Sequence, residues 1–364
     1  MKKFTETIPC QLKDSLSQRI FHESALFYDI ETTGFSARHN KIYFIGCAFR
    51  NGDQVTITQF FSESAEDESL ILSSFLELCK KFHSTITFNG LGFDLPFILE
   101  RCHHFQLAEQ LSTMQHLDIF KQISTLKKLF KLPNMKQKSI EQFLGLHRED
   151  SYSGGELINV YHDYMKQPED QKLYLLQLHN KEDVLGMIDI LPILSYTEFI
   201  NGNFEVSEYS IQSYQEYEGH SSLEVVFTLH LAFSLPKRIS YGKDDIYISG
   251  CGDKVKCKIK IYQGELKYFY SNYKDYYYLP HEDIAIHKSV AFYVDKDFRT
   301  KAKAATCYSK KTGRFLPQYS DLFSPYFKLE YHDKISYIEM AEEFTDSKEF
   351  QKKYILHILS VLIK

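Results

Sequence analysis

Tryptophan is absent from this 364-residue chain, and 29 Phe and 26 Tyr carry its aromatic content instead. That bias favours aromatic-rich strands and by itself says nothing of activity. No apolar run approaches the length of a membrane span, so no membrane-spanning helix is expected. The seven cysteines (Cys10, Cys47, Cys79, Cys102, Cys251, Cys257, Cys307) include no C-x-x-C pair, and their number is odd. With no secretory leader visible at the start, reduced thiols and a cytoplasmic location are the expectation. Internal repeats and low-complexity segments are missing. Extreme charge is missing too: a net −5 argues against a uniformly nucleic-acid-coating protein, though not against a local basic surface. The length suits two domains with ample core for each.

Lysine and arginine are themselves missing from one long stretch, residues 183–236, where acids remain. Residues 237–314 reverse the balance, with 17 Lys and Arg against 9 Asp and Glu. This shift places a boundary near residue 200 and predicts domains over 1–199 and 200–364. In the first, a mixed polar lead-in over 1–22, read as a short helix, precedes three strands at 25–31, 41–49 and 54–61. Asn51-Gly52 between the last two signals a hairpin. Helical spacing follows over 66–82, then a β-rich piece at 85–88, a helix over 94–104 with Pro96 in its first turn, and a strand at 116–120. Helices are predicted over 124–130, 138–144, 155–165 and 170–194. Strands first and strand–helix alternation later suit an α/β or α+β domain with a mixed sheet.

Three stretches carry the chemistry. Phe27-Tyr28-Asp29-Ile30-Glu31-Thr32-Thr33-Gly34 drives an apolar strand into two acids of period two, which puts both carboxylates on one face. Two adjacent acids repel unless a cation lies between them, so a metal ion is implied. Phe88-Asn89-Gly90-Leu91-Gly92-Phe93-Asp94 is a tight strand-to-helix turn with Asp94 at the helix start, where capping is the plain alternative. His179-Asn180-Lys181-Glu182-Asp183 puts His179 and Asp183 one helical turn apart, on the face shared by Leu176, Val184 and Met187. A core histidine is the plain alternative there. Four carboxylates together (Asp29, Glu31, Asp94, Asp183) suit Mg²⁺ or Mn²⁺ and not zinc.

Asp-Ile-Glu-Thr-Thr-Gly, Asn-Gly-x-x-Phe-Asp and His-Asn-x-x-Asp, in this order, resemble the three motifs of the DEDD superfamily of 3′→5′ exonucleases. The second motif is similar to that of B-family DNA polymerase proofreading domains. Size and layout resemble the YprB-type RNase H-like exonucleases. The resemblance covers about residues 24–195 and implies an RNase H-like mixed sheet flanked by helices. It also implies two divalent ions, Mg²⁺ or Mn²⁺, on Asp29, Glu31, Asp94 and Asp183. One branch of the superfamily has Tyr four residues before the last Asp, another has His five before it. Here His179 stands at the tyrosine's spacing, which opens a choice between general base and water-orienting residue. Asn180 is expected to orient a carboxylate, and Asp118 to be auxiliary or structural.

The second domain reads as smaller, β-rich and basic, with a helical tail from about Ser336. Residues 253–262 alternate strictly, as do 299–304, with one face cationic. The stripes Lys254/Lys256/Lys258/Lys260 and Arg299/Lys301/Lys303 suit a phosphate backbone, and aromatics in 268–270 and 276–278 suit base stacking. A solvated sheet face with a core opposite is the plain alternative. His287 reads as structural. Thr32, Asn89 and Phe93 within the motifs, and Lys256, Lys258, Arg299, Lys301 and Lys303, are the expected nucleic-acid contacts. The expected activity is metal-dependent 3′→5′ exonuclease hydrolysis of single-stranded or frayed DNA, with a role such as DNA repair and no membrane partner. Rivals are a ribonuclease or structure-selective endonuclease using the same acids, or an inactive binding module. A polymerase is disfavoured by the short chain and the missing Asp-Thr-Asp palm motif.

Overall fold

The structure is a computed structural model that describes all residues except 65, 151, 153, 217, 218, 342, 343, 345 and 364. The chain divides into two compact units, Met1–Glu198 with Leu235–Lys237, and Phe199–Ser234 with Arg238–Lys364. Among the described residues no helix is long and apolar enough to cross a membrane.

The first unit is built on a six-stranded sheet of order β1-β4-β3-β2-β5-β6. Its strands are β1 (Lys2–Pro9), β2 (Ala25–Thr32), β3 (Ile42–Asn51), β4 (Gln54–Phe61), β5 (Ser84–Thr87) and β6 (Gln115–Asp118). β1 to β4 pair antiparallel in the order of the sheet, whereas β2–β5 and β5–β6 are parallel. β2 therefore stands where the antiparallel half meets the parallel half. Its first four residues, Ala25 to Tyr28, are fully buried. β1 is an edge strand that alternates only weakly into the interior. It corrects the sequence expectation, since residues 1–22 hold this strand as well as the helix α1 (Ser15–Ile20). The β3–β4 hairpin turns on Gly52 at φ +59°, with Asn51 already paired to Gln54.

The helices of this unit include α2 (Glu68–Cys79), α3 (Asp94–His104), α4 (Ile119–Ile123), α5 (Lys127–Phe130), α6 (Gln137–Leu144), α7 (Gly154–Lys166), α8 (Asp170–Asp189) and α9 (Leu194–Ile200). α2 and α3 bury Ile71, Phe75, Phe97 and Ile98 in one cluster with Leu26, Tyr28 and Phe60. α7 and α8 form another cluster with Tyr43, Phe44 and Phe61. A buried ion pair links the first of these layers: the Arg101 guanidinium donates to both oxygens of Glu68 at 2.7 Å. Glu68 also accepts the Ile42 amide at 2.9 Å, and Arg101 reaches Ala37 O at 3.2 Å. The pair thereby anchors the middle and the far end of the 33–41 loop.

The second unit carries a six-stranded sheet of order β14-β15-β13-β9-β8-β7 and a small sheet of order β11-β10-β12. Its strands are β7 (Phe204–Gln215), β8 (Ser221–Lys243), β9 (Ile246–Phe269), β10 (Tyr276–Leu279), β11 (Ile284–His287), β12 (Thr300–Lys301), β13 (Tyr308–Gln318), β14 (Tyr326–Phe327) and β15 (Ser336–Glu339). The helix α10 (Lys288–Ala291) follows β11, and α11 (Lys348–Leu362) ends the described chain. The alternation in β9 is real: Val255, Cys257, Ile259 and Ile261 are buried, and the lysines between them face outward. Two expectations are corrected. Ser336 opens a strand, with the tail helix starting at Lys348, and the 299–304 alternation yields only the two-residue β12 before a helical turn at Ala304–Thr306.

Removing one partner of the buried Arg101–Glu68 pair strands a carboxylate without a counter-charge. Arg101→Met is expected to lower unfolding free energy by about 3–5 kcal/mol, read as a shift of the urea midpoint without a change in slope.

Candidate metal centre and its acidic cage

Sheet register sets the site. Asp29 on β2 lies opposite Gly46 on β3, and Gly46 lies opposite Gln59 on β4. α8 crosses this row at close range, because a Cβ on Gly46 would meet Asn180 Oδ1 at 2.2 Å and Val184 at 2.9 Å. Asn180, fully buried, bridges the row. Its Nδ2 donates to Asp29 Oδ2 at 3.2 Å, and its Oδ1 accepts from Gln59 Nε2 at 3.0 Å. The expectation that Asn180 orients a carboxylate is met by this contact.

Two residues along β2, Glu31 points to the same face. His179 on α8 turns inward, with Nε2 3.5 Å from Glu31 Oε1 and 3.1 Å from Asp183 Oδ2. Asp94 stands at the first residue of α3, after a loop that begins at the carboxyl end of β5. It does not cap its own helix. Its Oδ1 accepts the Ile30 amide of β2 at 3.1 Å, which locks the acid against the strand carrying the other two. The loop before it is shaped by Asp118, whose two oxygens accept the Asn89 and Leu91 amides at 2.9 and 3.0 Å. Asp118 also caps α4 through Lys121 N. Its role is structural.

Three groups around the acids were not legible in the motifs. Asp150 accepts from, or shares a proton with, His179 Nδ1 at 2.6 Å, and it is held by Lys138 Nζ at 3.0 Å and the Tyr152 amide at 2.9 Å. Arg148 bonds both oxygens of Glu141 and also Asp183 Oδ1. Phe35, 88% exposed, leans edge-on against Phe93 with ring centroids 6.3 Å apart. The one sequence signal for the first two was the run Arg148-Glu149-Asp150 in a polar loop before a helix. Phe35 directly follows the first motif.

The remaining expected contacts fall as follows. Thr32 is buried and donates to Gly34 O at 2.9 Å, closing the turn after β2. Asn89 is exposed at φ +62°. Phe93 is half-buried between Phe35 and Phe97. Lys256, Lys258, Arg299, Lys301 and Lys303 belong to the second unit. There Lys258 pairs with Glu224 and Lys260 with Glu216, each at 2.6 Å. Arg299 lies over the Tyr277 ring and bonds Ala291 O. The stripe on β9 is thus half neutralised.

The acids repel one another. Burial, followed by Asp183, Asp94 and Glu31, pushes Asp29 well above the carboxylate range, with Arg148 opposing. Burial lifts Glu31 to about 8 against the pull of His179. Burial lifts Asp94 to about 7 against the backbone amides it accepts. His179 is raised: burial opposes this, but Asp183, Glu31 and Asp150 prevail. The arrangement is short of positive charge, which fits a divalent cation held by oxygens. Glu31, His179 and Asp183 already bring ligand atoms within 4.8 Å of one another.

Residues 26–195 match the family model described as the RNase_H superfamily. The first unit has an RNase H-like fold. No curated protein matches the chain. Among solved structures, the family B DNA polymerase of the archaeon Pyrobaculum calidifontis is similar over 48% of this chain and 25% of its own, at 15% identity and a TM-score of 0.38. The zinc-bound Escherichia coli exonuclease I complex with single-stranded DNA is similar over 57% of this chain and 54% of its own, at 11% identity and a TM-score of 0.28. The chain thus spans a quarter of the one and about half of the other.

Raised carboxyl pKa values imply a pH-dependent fold. A group whose pKa rises on folding stabilises fully below its unfolded value, and that contribution is lost as pH climbs through the folded value. In EDTA the RNase H-like unit is therefore expected to lose thermal stability between about pH 4.5 and about pH 8, the interval set by Glu31. Mn²⁺ added at pH 8 is expected to restore the melting temperature. A melting temperature flat across this range, with or without Mn²⁺, would contradict the repulsion. In the same titration Arg148→Gln is expected to tighten Mn²⁺ binding, since it frees Asp183 Oδ1.

Proposed function

We propose that the protein is a metal-dependent 3′→5′ exonuclease that hydrolyses phosphodiester bonds of single-stranded or frayed DNA. The observation that carries this reading is the Glu31, His179 and Asp183 group, whose ligand atoms lie within 4.8 Å of one another, with Asp29 and Asp94 coupled to it by mutual repulsion. Two Mg²⁺ or Mn²⁺ ions held by the four carboxylates would supply Lewis acidity to the attacking and leaving oxygens.

The protein's own groups do the rest. Asp150 takes the Nδ1–H of His179 and so leaves Nε2 as the ring's proton acceptor, facing the acids. His179 Nε2 accepts a proton of the water that attacks phosphorus, while the P–O3′ bond breaks, the shortened strand's O3′ takes a proton from solvent and a 5′-mononucleotide departs. The Asp150 contact supports the general base over the orienting residue. Asn180 and the Ile30 amide hold Asp29 and Asp94 in fixed directions, which limits reorganisation as charge develops. Phe35 and Phe93, each next in sequence to an acidic motif, pack edge to face and offer aromatic surface suited to a terminal base. Seven free thiols suit a reducing compartment, so a cytoplasmic location belongs to this reading.

The deciding assay incubates the full chain with Mn²⁺ or Mg²⁺ and end-labelled DNA and RNA, beside Asp29→Ala. Metal-dependent shortening from the 3′ end of DNA, lost in Asp29→Ala, is expected. Shortening from the 5′ end would overturn the polarity, preference for RNA the substrate, and no cleavage of either the enzyme itself. His179→Ala is expected to lower turnover by about 10²–10⁴-fold with Mn²⁺ binding nearly kept. Asp150→Asn should follow it in direction, whereas a near-normal rate in both would make the pair structural.

A further inference from the structure

One short segment of the second unit carries large aromatic side chains that stand well out into solvent. Phe292 is 76% exposed, Tyr293 87% and Phe298 54%, with Val290 beside them. They sit on the short segment between α10 and β12. This segment is not a loose end. The Tyr293 and Val294 amides bond Val290 and Ala291 carbonyls at 3.1 Å, and the Phe298 amide bonds Asp295 O at 3.2 Å. Arg299 ties it down, bonding Ala291 O while its guanidinium lies 4.9 Å from the Tyr277 ring centroid. Phe292 and Tyr293 meet edge to face at 5.6 Å, and Phe298 leans on His281 at 6.0 Å.

The aromatics expected from the sequence to stack on bases are engaged elsewhere. Tyr270 stacks on Tyr276 at 4.6 Å, Tyr268 packs on Phe327, and Tyr278 donates to Asp283 at 2.7 Å. Among the described residues of the second unit, the most exposed rings are those of Phe292, Tyr293 and Phe298. Charge around them is positive: residues 288–303 hold Lys288, Lys296, Arg299, Lys301 and Lys303 against Asp295 and Asp297. Lys288 pairs with Asp275 at 3.5 Å. Among the described residues Lys296, Lys301 and Lys303 have no ion pair. A single strand matches both features at once, presenting bases to the rings and regularly spaced phosphates to the lysines.

We propose that Phe292, Tyr293 and Phe298, flanked by Lys296, Lys301 and Lys303, form a stacking platform for single-stranded nucleic acid, separate from the acidic cage. The inference rests on the nuclease reading, since it names where that substrate is held by the second unit. Binding of fluorescent oligo-dT to the full chain in EDTA, where no cleavage occurs, tests it by anisotropy. The triple variant Phe292→Ala/Tyr293→Ala/Phe298→Ala, with its melting temperature checked, is expected to bind about 10–100-fold more weakly, with an unchanged salt slope. Lys301→Glu/Lys303→Glu is expected to weaken binding and flatten the slope by about 1.4, at about 0.7 per phosphate contact. Wild-type affinity in the triple variant, alongside DNA cleavage by the wild type, would overturn the platform and leave the nuclease reading intact. A wild type that neither binds nor cleaves DNA or RNA would overturn both. Loss in the triple variant of binding to anionic phosphatidylglycerol vesicles, or of a wild-type dimer, with oligo-dT affinity retained, would assign the patch to a membrane or to a second copy and overturn the proposal.

Discussion

Four carboxylates held together out of water repel one another, and the first unit is built to tolerate that repulsion. The strand carrying Asp29 and Glu31 is buried on both sides by β3 and β5, so it cannot yield. Asp94 is tied to the same strand through the Ile30 amide, and Asn180 holds Asp29 from above. Gly46 lets α8 approach closely enough for Asn180 to reach. These features bring the acids together, and the Ile30 amide and Asn180 N–H offset only part of their repulsion. Positive charge to offset the rest comes from Arg148, from a protonated His179, or from a cation supplied by solvent. Structural carboxylates are ordinarily paired, as Glu68 is with Arg101, and a cluster left short of positive charge is a candidate site for a ligand of that sign.

The parts of this site that were legible in the sequence are those whose geometry is local. A period of two fixes Asp29 beside Glu31, and a period of 3.6 fixes His179 beside Asp183, whatever the rest of the chain does. Asp94 was legible in position but not in role, because a cap and a strand-bound acid look alike until Ile30 is in place. Asp150, Arg148 and Glu141 come from a loop and a helix end whose spacing obeys neither period. They are brought to α8 by tertiary packing alone. β1 was missed for a related reason: an edge strand buries half as much, and Lys2, Thr5, Glu6 and Thr7 dilute its apolar signal.

The second unit shows the same division between local pattern and long-range pairing. Strict alternation made the buried face of β9 readable, yet it could not say which lysines stay free. Glu224 and Glu216, from the stretch devoid of lysine and arginine, come to lie against Lys258 and Lys260. The change in composition near residue 237 is therefore in part a charge match between neighbouring strands. Composition suggested a long cationic stripe, and pairing leaves Lys254 and Lys256 as its open end. The tyrosine runs follow suit, since three consecutive aromatics on a strand find partners on both faces and leave none for a ligand.

A histidine at the position where one branch of this motif carries tyrosine changes more than one group. A phenol offers a single polar atom, and if it faced Glu31 and Asp183 it would leave Asp150 with only Lys138 and the Tyr152 amide. An imidazole has two nitrogens on opposite edges. Facing Nε2 to the acids therefore sends Nδ1 outward, to a carboxylate that burial would otherwise penalise. Asp150 and His179 thus support each other: against burial, the His179 N–H, with the Tyr152 amide and Lys138, holds the acid low, and the acid in turn holds the ring's Nδ1 edge. The spacing that made His179 an anomaly in the sequence is the spacing that lets one side chain join the loop at Asp150 to the cage at Glu31 and Asp183.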